Sequence, residues 1–113
     1  TWTDLGAHLL PCRVVNNQLD TEDVLNQLGK HGLTRIFCEG GSALAASLIR
    51  NDLVDQLVGF TAGLVIGVEG LAGIGALGLD KLHMARRFTL GETRQVGPDV
   101  MHVWTRASQM DAV

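Results

Sequence analysis

Apolar positions along this chain repeat with a helical period in two places and cluster into strand-like runs elsewhere. Val24, Leu25 and Leu28 fall on one stripe, at i, i+1 and i+4, which predicts a helix from Asp20 or Thr21 to about Lys30. Glu22 and Asp23 sit in its first turn, where the helix dipole favours anions, and Lys30 and His31 in its last. Gly32 follows as a left-handed cap. Residues 42–50 (SALAASLIR) make a second, small-faced apolar helix that stops at Asn51-Asp52. Between the two, 34–38 (TRIFC) is a strand that runs into Glu39-Gly40-Gly41. Beyond them, 53–61 (LVDQLVGFT) is a strand with two polar interruptions. Helix, strand, Gly-Gly turn, helix, strand is an alternation that predicts a parallel α/β layer.

The flanks read differently. Residues 7–15 (AHLLPCRVV) form a short or edge strand, because Pro11 has no N–H to give to a ladder. Asn16-Asn17-Gln18 is turn chemistry. Residues 62–79 are glycine-dense and without a clean period, a loop with a short strand near 64–66, followed by a short helix candidate at 80–85. Two runs, 87–96 and 100–106, joined at Gly97-Pro98-Asp99, predict an antiparallel hairpin. The tail, 107–113, reads as frayed. There is no internal repeat and no linker.

Composition narrows the function classes. At 113 residues the chain holds one domain at most, and 46% hydrophobic residues argue against disorder. A net charge of −3 gives no basic field for nucleic acid or an anionic membrane. The longest run without a charge, Gln56 to Val68, has 13 residues, short of the roughly 20 a spanning helix needs. The N-terminus lacks the basic stretch and apolar core of an export signal. With two cysteines, Cys12 and Cys38, expected as thiols, the location expected is the reducing cytoplasm.

The sharpest local chemistry is Cys38-Glu39-Gly40-Gly41-Ser42. Two glycines after a strand let a ligand approach the backbone, and the first-turn amides of the following helix suit a phosphate or diphosphate. Glu39 stands at the C-terminal end of its strand, where open α/β sheets place ligands. A tight strand–helix turn with no ligand is the plain reading of the same residues. Gly73-Ile74-Gly75-Ala76-Leu77-Gly78 matches G-x-G-x-x-G. No convincing strand precedes it and only a short helix follows, so a flexible loop fits it better. His8, His31, His83 and His102 are dispersed and the cysteines are 26 positions apart, so no metal site is expected. His102 reads as a strand-face residue, Trp104 as packing and Arg86-Arg87 as a solvated pair.

The stretch from Gly32 to Gly67 resembles the C-terminal reductase domain of the bifunctional riboflavin-biosynthesis deaminase/reductase. That family pattern is a strand, E-G-G, a small-residue helix, L-V-D-E-L, a strand and an L-L-G-G loop. The corresponding residues here are Glu39-Gly40-Gly41, Leu53-Val54-Asp55-Gln56-Leu57 and Val65-Ile66-Gly67-Val68. Gln56 replaces the usual acid and Val68 a common glycine. The resemblance implies a dihydrofolate-reductase-like α/β fold: a mixed sheet with flanking helices and a C-terminal antiparallel hairpin. It implies NADPH as hydride donor and reduction of the ribosyl group of 5-amino-6-(5-phosphoribosylamino)uracil to ribityl. Gly40, Gly41 and Ser42 would contact the cofactor's diphosphate, with Ala43, Leu44 and Ala45 as lesser cofactor-side candidates. Glu39 would be the catalytic and substrate-facing residue, Gly67 would border the same cleft, and a homodimer is implied.

On the same resemblance, residues 1–113 are expected to be the C-terminal portion of one reductase domain. The family's N-terminal strands and their K-x-x-x-S-x-D-G-type motif have no counterpart here. The chain alone is therefore expected to be incomplete for catalysis and to leave strand edges unpaired. A non-catalytic α/β assembly module derived from the same fold is the competing reading.

Overall fold

Asp20 accepts hydrogen bonds from the backbone N–H groups of Glu22 (3.1 Å) and Asp23 (3.5 Å), and so caps helix α1, Thr21–Lys30. In the computed structural model, which describes residues 1–108, this helix belongs to the first of two compact units, Thr1–Gly40. Upstream of it, β1 (Val14–Val15) folds back on β2 (Gln18–Leu19). The turn residues Asn16 and Asn17 have φ of 49° and 61°, the pair of positive values a two-residue hairpin requires and asparagine tolerates. The strand expected over 7–15 is thus reduced to its last two residues, beyond Pro11. At its other end, α1 closes through Gly32 (φ 87°) and a bond from Leu33 N–H to the Leu28 carbonyl (3.2 Å), which is a Schellman stop.

The strand expected at 34–38 does not form, since this segment belongs to neither sheet. A strand exists only as a member of a ladder, and TRIFC finds no partner among the described residues. Its apolar side chains stay in water, Phe37 at 80% exposure. The parallel pairing predicted from the alternation is absent for the same reason, and every observed pairing is antiparallel.

The second unit begins at Gly41. Helix α2 spans Ser42–Arg50 and stops at Asn51-Asp52 as the sequence predicts. Asp52 takes the left-handed conformation (φ 58°), and Leu53 N–H bonds the Leu48 carbonyl (2.9 Å). Three strands follow: β3 (Gln56–Thr61), β4 (Phe88–Val96) and β5 (Asp99–Arg106), in the order β3-β5-β4. The β4–β5 hairpin turns at Gly97-Pro98, where Gly97 has φ 58°. A positive φ followed by the fixed negative φ of proline suits the twist of the two strands. Gly91 is the extra residue of a bulge between Leu90 and Glu92. Leu57, Trp104 and Leu90 stand side by side on one sheet face, and Val58–Val103 and Phe60–Met101 pair on the other.

The 62–79 region contains no strand at 64–66; a 3-10 turn at Gly67–Glu69 follows. The helix candidate at 80–85 is a single 3-10 turn, Leu82–Met84. Residues 109–113 of the tail lie outside the described residues. Apolar burial concentrates on the inner face of α2, at Ala46 and Ile49. The accessible area is 9478 Å², against roughly 6,000 Å² for a folded monomer of this mass. This chain therefore leaves much apolar surface in water, Phe60 and Val65 included.

Candidate functional site

The N-terminus of α2 gathers four of the expected cofactor residues: Gly41 as N-cap and Ser42, Ala43 and Leu44 as the first turn. No side chain caps this end, so first-turn amides are left to a solvent or ligand partner. Gly41 has φ −71° and ψ 178°, a conformation any residue adopts, and nothing lies within 4 Å of where its Cβ would stand. Neither strain nor packing among the described residues requires glycine there, and the space beside its backbone is open. Gly41, Ala43 and Leu44 are exposed and Ser42 is partly so. The corner is open rather than sealed by side chains, and its residues fit a dinucleotide's diphosphate. Glu39 and Gly40, both exposed, end the first unit and precede this turn directly in the chain.

Gly67 lies elsewhere in the loop. Its φ is 75° and its carbonyl accepts from Gly70 N–H (3.2 Å). The loop residue that reaches the helix start is Gly75, whose N–H bonds the Ser42 carbonyl (3.0 Å). A Cβ on Gly75 would stand 3.2 Å from that oxygen. This role was missed in the sequence, although the signal lay in the G-x-G-x-x-G match: its middle glycine, Gly75, serves close backbone approach, while Gly73 and Gly78 meet nothing within 4 Å, and neither the strand nor the helix of a dinucleotide fingerprint surrounds them.

A second polar constellation sits on the sheet. Trp104 Nε1–H donates to His102 Nδ1 (3.0 Å), and His102 Nε2 meets Thr61 Oγ1 (3.0 Å). The indole N–H makes Nδ1 the acceptor, so Nε2 carries the proton and donates to Thr61. Two carboxylates with lowered titration lie at the start of α1. The Arg13 guanidinium holds the Asp20 carboxyl below the usual carboxylate range, and the Arg13 backbone N–H does the same for Asp23.

A nine-residue helix entered through an open glycine corner, in one unit with an antiparallel sheet closed by a C-terminal hairpin, defines a dihydrofolate-reductase-like α/β domain. The RibD C-terminal domain family matches residues 3–102, and the chain belongs to that family, as the E-G-G and L-V-D-Q-L segments suggest. It is 30% identical over 98 residues to the riboflavin biosynthesis protein RibD of Actinobacillus pleuropneumoniae, covering 86% of this chain and 26% of that protein. It is 38% identical over 82 residues to RibD of Escherichia coli K12, covering 73% and 22%. Form 2 of Acinetobacter baumannii RibD superposes with a TM-score of 0.76 at 19% identity, over 93% of this chain and 28% of that one. The chain thus spans about a quarter of the length of these relatives. Among the described residues, no helix is long and apolar enough to cross a membrane.

Proposed function

We propose that this chain forms the cofactor-gripping part of an NADPH-dependent reductase of riboflavin biosynthesis. The reaction is reduction of the ribosyl group of 5-amino-6-(5-phosphoribosylamino)uracil to ribityl. The observation that carries this reading is the uncapped, exposed start of α2 at Gly41-Ser42 in a member of the RibD C-terminal domain family. Backbone amides from Gly40 to Leu44 hold the diphosphate, assisted by the helix dipole and the Ser42 hydroxyl. The nicotinamide, when bound, supplies the hydride. The protein's part is orientation: Glu39 faces the sugar chain and Gly67 borders the same cleft. Residues 1–113 act as the C-terminal portion of one reductase domain, in the cytoplasm and as a homodimer. The exposed apolar residues of the sheet, Val58 and Phe60 among them, support self-association, and they also favour the second reading, a non-catalytic assembly module.

Amide NMR of the chain titrated with NADPH separates the two. Saturable shifts centred on Gly40, Gly41 and Ser42, weakened by Gly41→Val, are expected of the reductase. Unmoved amides at those positions, in a chain whose spectrum is otherwise folded, would falsify it and leave the assembly module.

A further inference from the structure

The C-terminal end of α2 carries a feature that the cofactor reading does not use. Ile49, Leu77, Leu79 and Met84 line an open groove of about 320 Å³ together with Arg50 and Arg86, at the lower end of the size range of small-molecule sites. Eight residues of helix separate this end from Ser42, roughly 12 Å. Arg50 donates to the Ala76 carbonyl (3.4 Å) and Arg86 to the Arg50 carbonyl (3.3 Å). Each guanidinium has five donors, and among the described residues these long single bonds leave most of them without a protein acceptor. Arg13, Arg94 and Arg106 each have a carboxylate partner; among the described residues, no carboxylate lies within 4 Å of Arg50 or Arg86, as also of Arg35 and Arg87 outside the groove.

Two arginines and four apolar side chains lining one groove match an oxyanion attached to an apolar body. We infer that this groove is a binding site for a small aryl or branched-alkyl carboxylate, clamped by Arg50 and Arg86 and seated on Ile49, Leu77, Leu79 and Met84. The arginines supply the anion contact. The apolar floor selects against a bare inorganic anion, which would lose hydration there without gaining contact.

Benzoate, its neutral isostere benzamide and inorganic phosphate are the probes, with the chain labelled for amide and methionine-methyl NMR. Benzoate is expected to shift the Gly78 and Leu79 amides and the Met84 methyl saturably, without moving the Gly41 and Ser42 amides. Benzamide and phosphate are expected to leave the groove signals in place. Arg50→Gln and Arg86→Gln are each expected to weaken benzoate about tenfold, the loss of one charge-assisted hydrogen bond. Should Arg50→Gln unfold the chain, Arg86→Gln and the three probes on the unmodified chain still decide. Equal shifts from benzamide or phosphate, no saturable benzoate shift, or undiminished benzoate affinity in Arg86→Gln would each overturn the inference.

Discussion

The imidazole of His102 lies across the backbone of Gly59 on the neighbouring strand, so that a Cβ at position 59 would collide with its Cε1. The ring is held there from both sides, by the Trp104 indole N–H and the Thr61 hydroxyl. It cannot swing away without giving up both bonds. Gly59→Ala is therefore expected to destabilise the sheet by about 1–3 kcal/mol, the range for overpacking a fitted site. Urea unfolding of Gly59→Ala, His102→Ser and the double variant measures this. Removing the ring should relieve the clash, so the double variant is expected to lose less than the sum of the two singles. Additive losses would show that crowding by His102 is not what position 59 answers to.

Arg106 joins the end of β5 to the end of α2. Its guanidinium donates to the Asp52 carbonyl (2.7 Å) and pairs with the carboxylate of Asp55, the aspartate of the L-V-D-Q-L segment. The ion pair is exposed at Asp55 (82%) and is worth only about 0.2–1 kcal/mol. The bond to the Asp52 carbonyl satisfies a left-handed helix stop and does not depend on the carboxylate. Arg106→Ala is expected to cost about 1–2 kcal/mol, clearly more than Asp55→Ala, when thermal or urea unfolding of the two variants is compared. Arg106→Lys is expected to recover only part of the loss, because an ammonium cannot reach both acceptors in the planar arrangement of a fork.

Both helices were legible to within a residue, because their caps are written locally: Asp20 and Gly32 bound α1, and Asn51-Asp52 ends α2. The C-terminal hairpin was legible for the same reason, through Gly97-Pro98. What failed depends on partners distant in sequence. The 34–38 run has strand composition but finds no ladder, and 64–66 lies in an exposed loop. The helix-start corner was readable from Glu39-Gly40-Gly41-Ser42 alone. The docking of Gly75 on Ser42 and the His102–Gly59 contact were not, since each joins residues tens of positions apart and no local pattern encodes the meeting.

Gly75 offers a direct probe of the helix start. With the Ser42 carbonyl oxygen 3.2 Å from where its Cβ would be, Gly75→Ala forces the loop off the helix by a few tenths of an ångström or strains the Gly75–Ser42 bond. The expected loss is about 1 kcal/mol, with amide shifts confined to Ser42, Ala43 and the loop. Gly73→Ala is the control, because nothing lies within 4 Å of the corresponding position. Matching spectra and stabilities for the two variants would show that the loop does not bear on α2. In the reductase reading, Gly75→Ala should also weaken NADPH more than Gly73→Ala does.

Acid should loosen α1 before it disturbs the sheet. Asp20 has its pKa lowered chiefly by the hydrogen bond from the Arg13 side chain, and Asp23 by the Arg13 backbone N–H. Both carboxylates are more acidic folded than unfolded, where an aspartate titrates near about 3.9. Their contribution is therefore present above that value and fades as the pH falls through the lower folded pKa. Protonating Asp20 leaves a neutral, weaker acceptor for the Glu22 and Asp23 N–H groups and removes the charged partner of Arg13. Weakening of the cap and loss of the ion pair thus coincide. Carboxyl-detected NMR between about pH 5 and 2 is expected to show Asp20 and Asp23 titrating below an unperturbed aspartate, with α1 amides exchanging faster over the same interval. Asp20→Asn keeps a capping oxygen but loses the charge. It should flatten the acid dependence of the α1 amides while preserving the helix at neutral pH. An unchanged acid profile in Asp20→Asn would place the origin of the effect outside the Arg13–Asp20 pair.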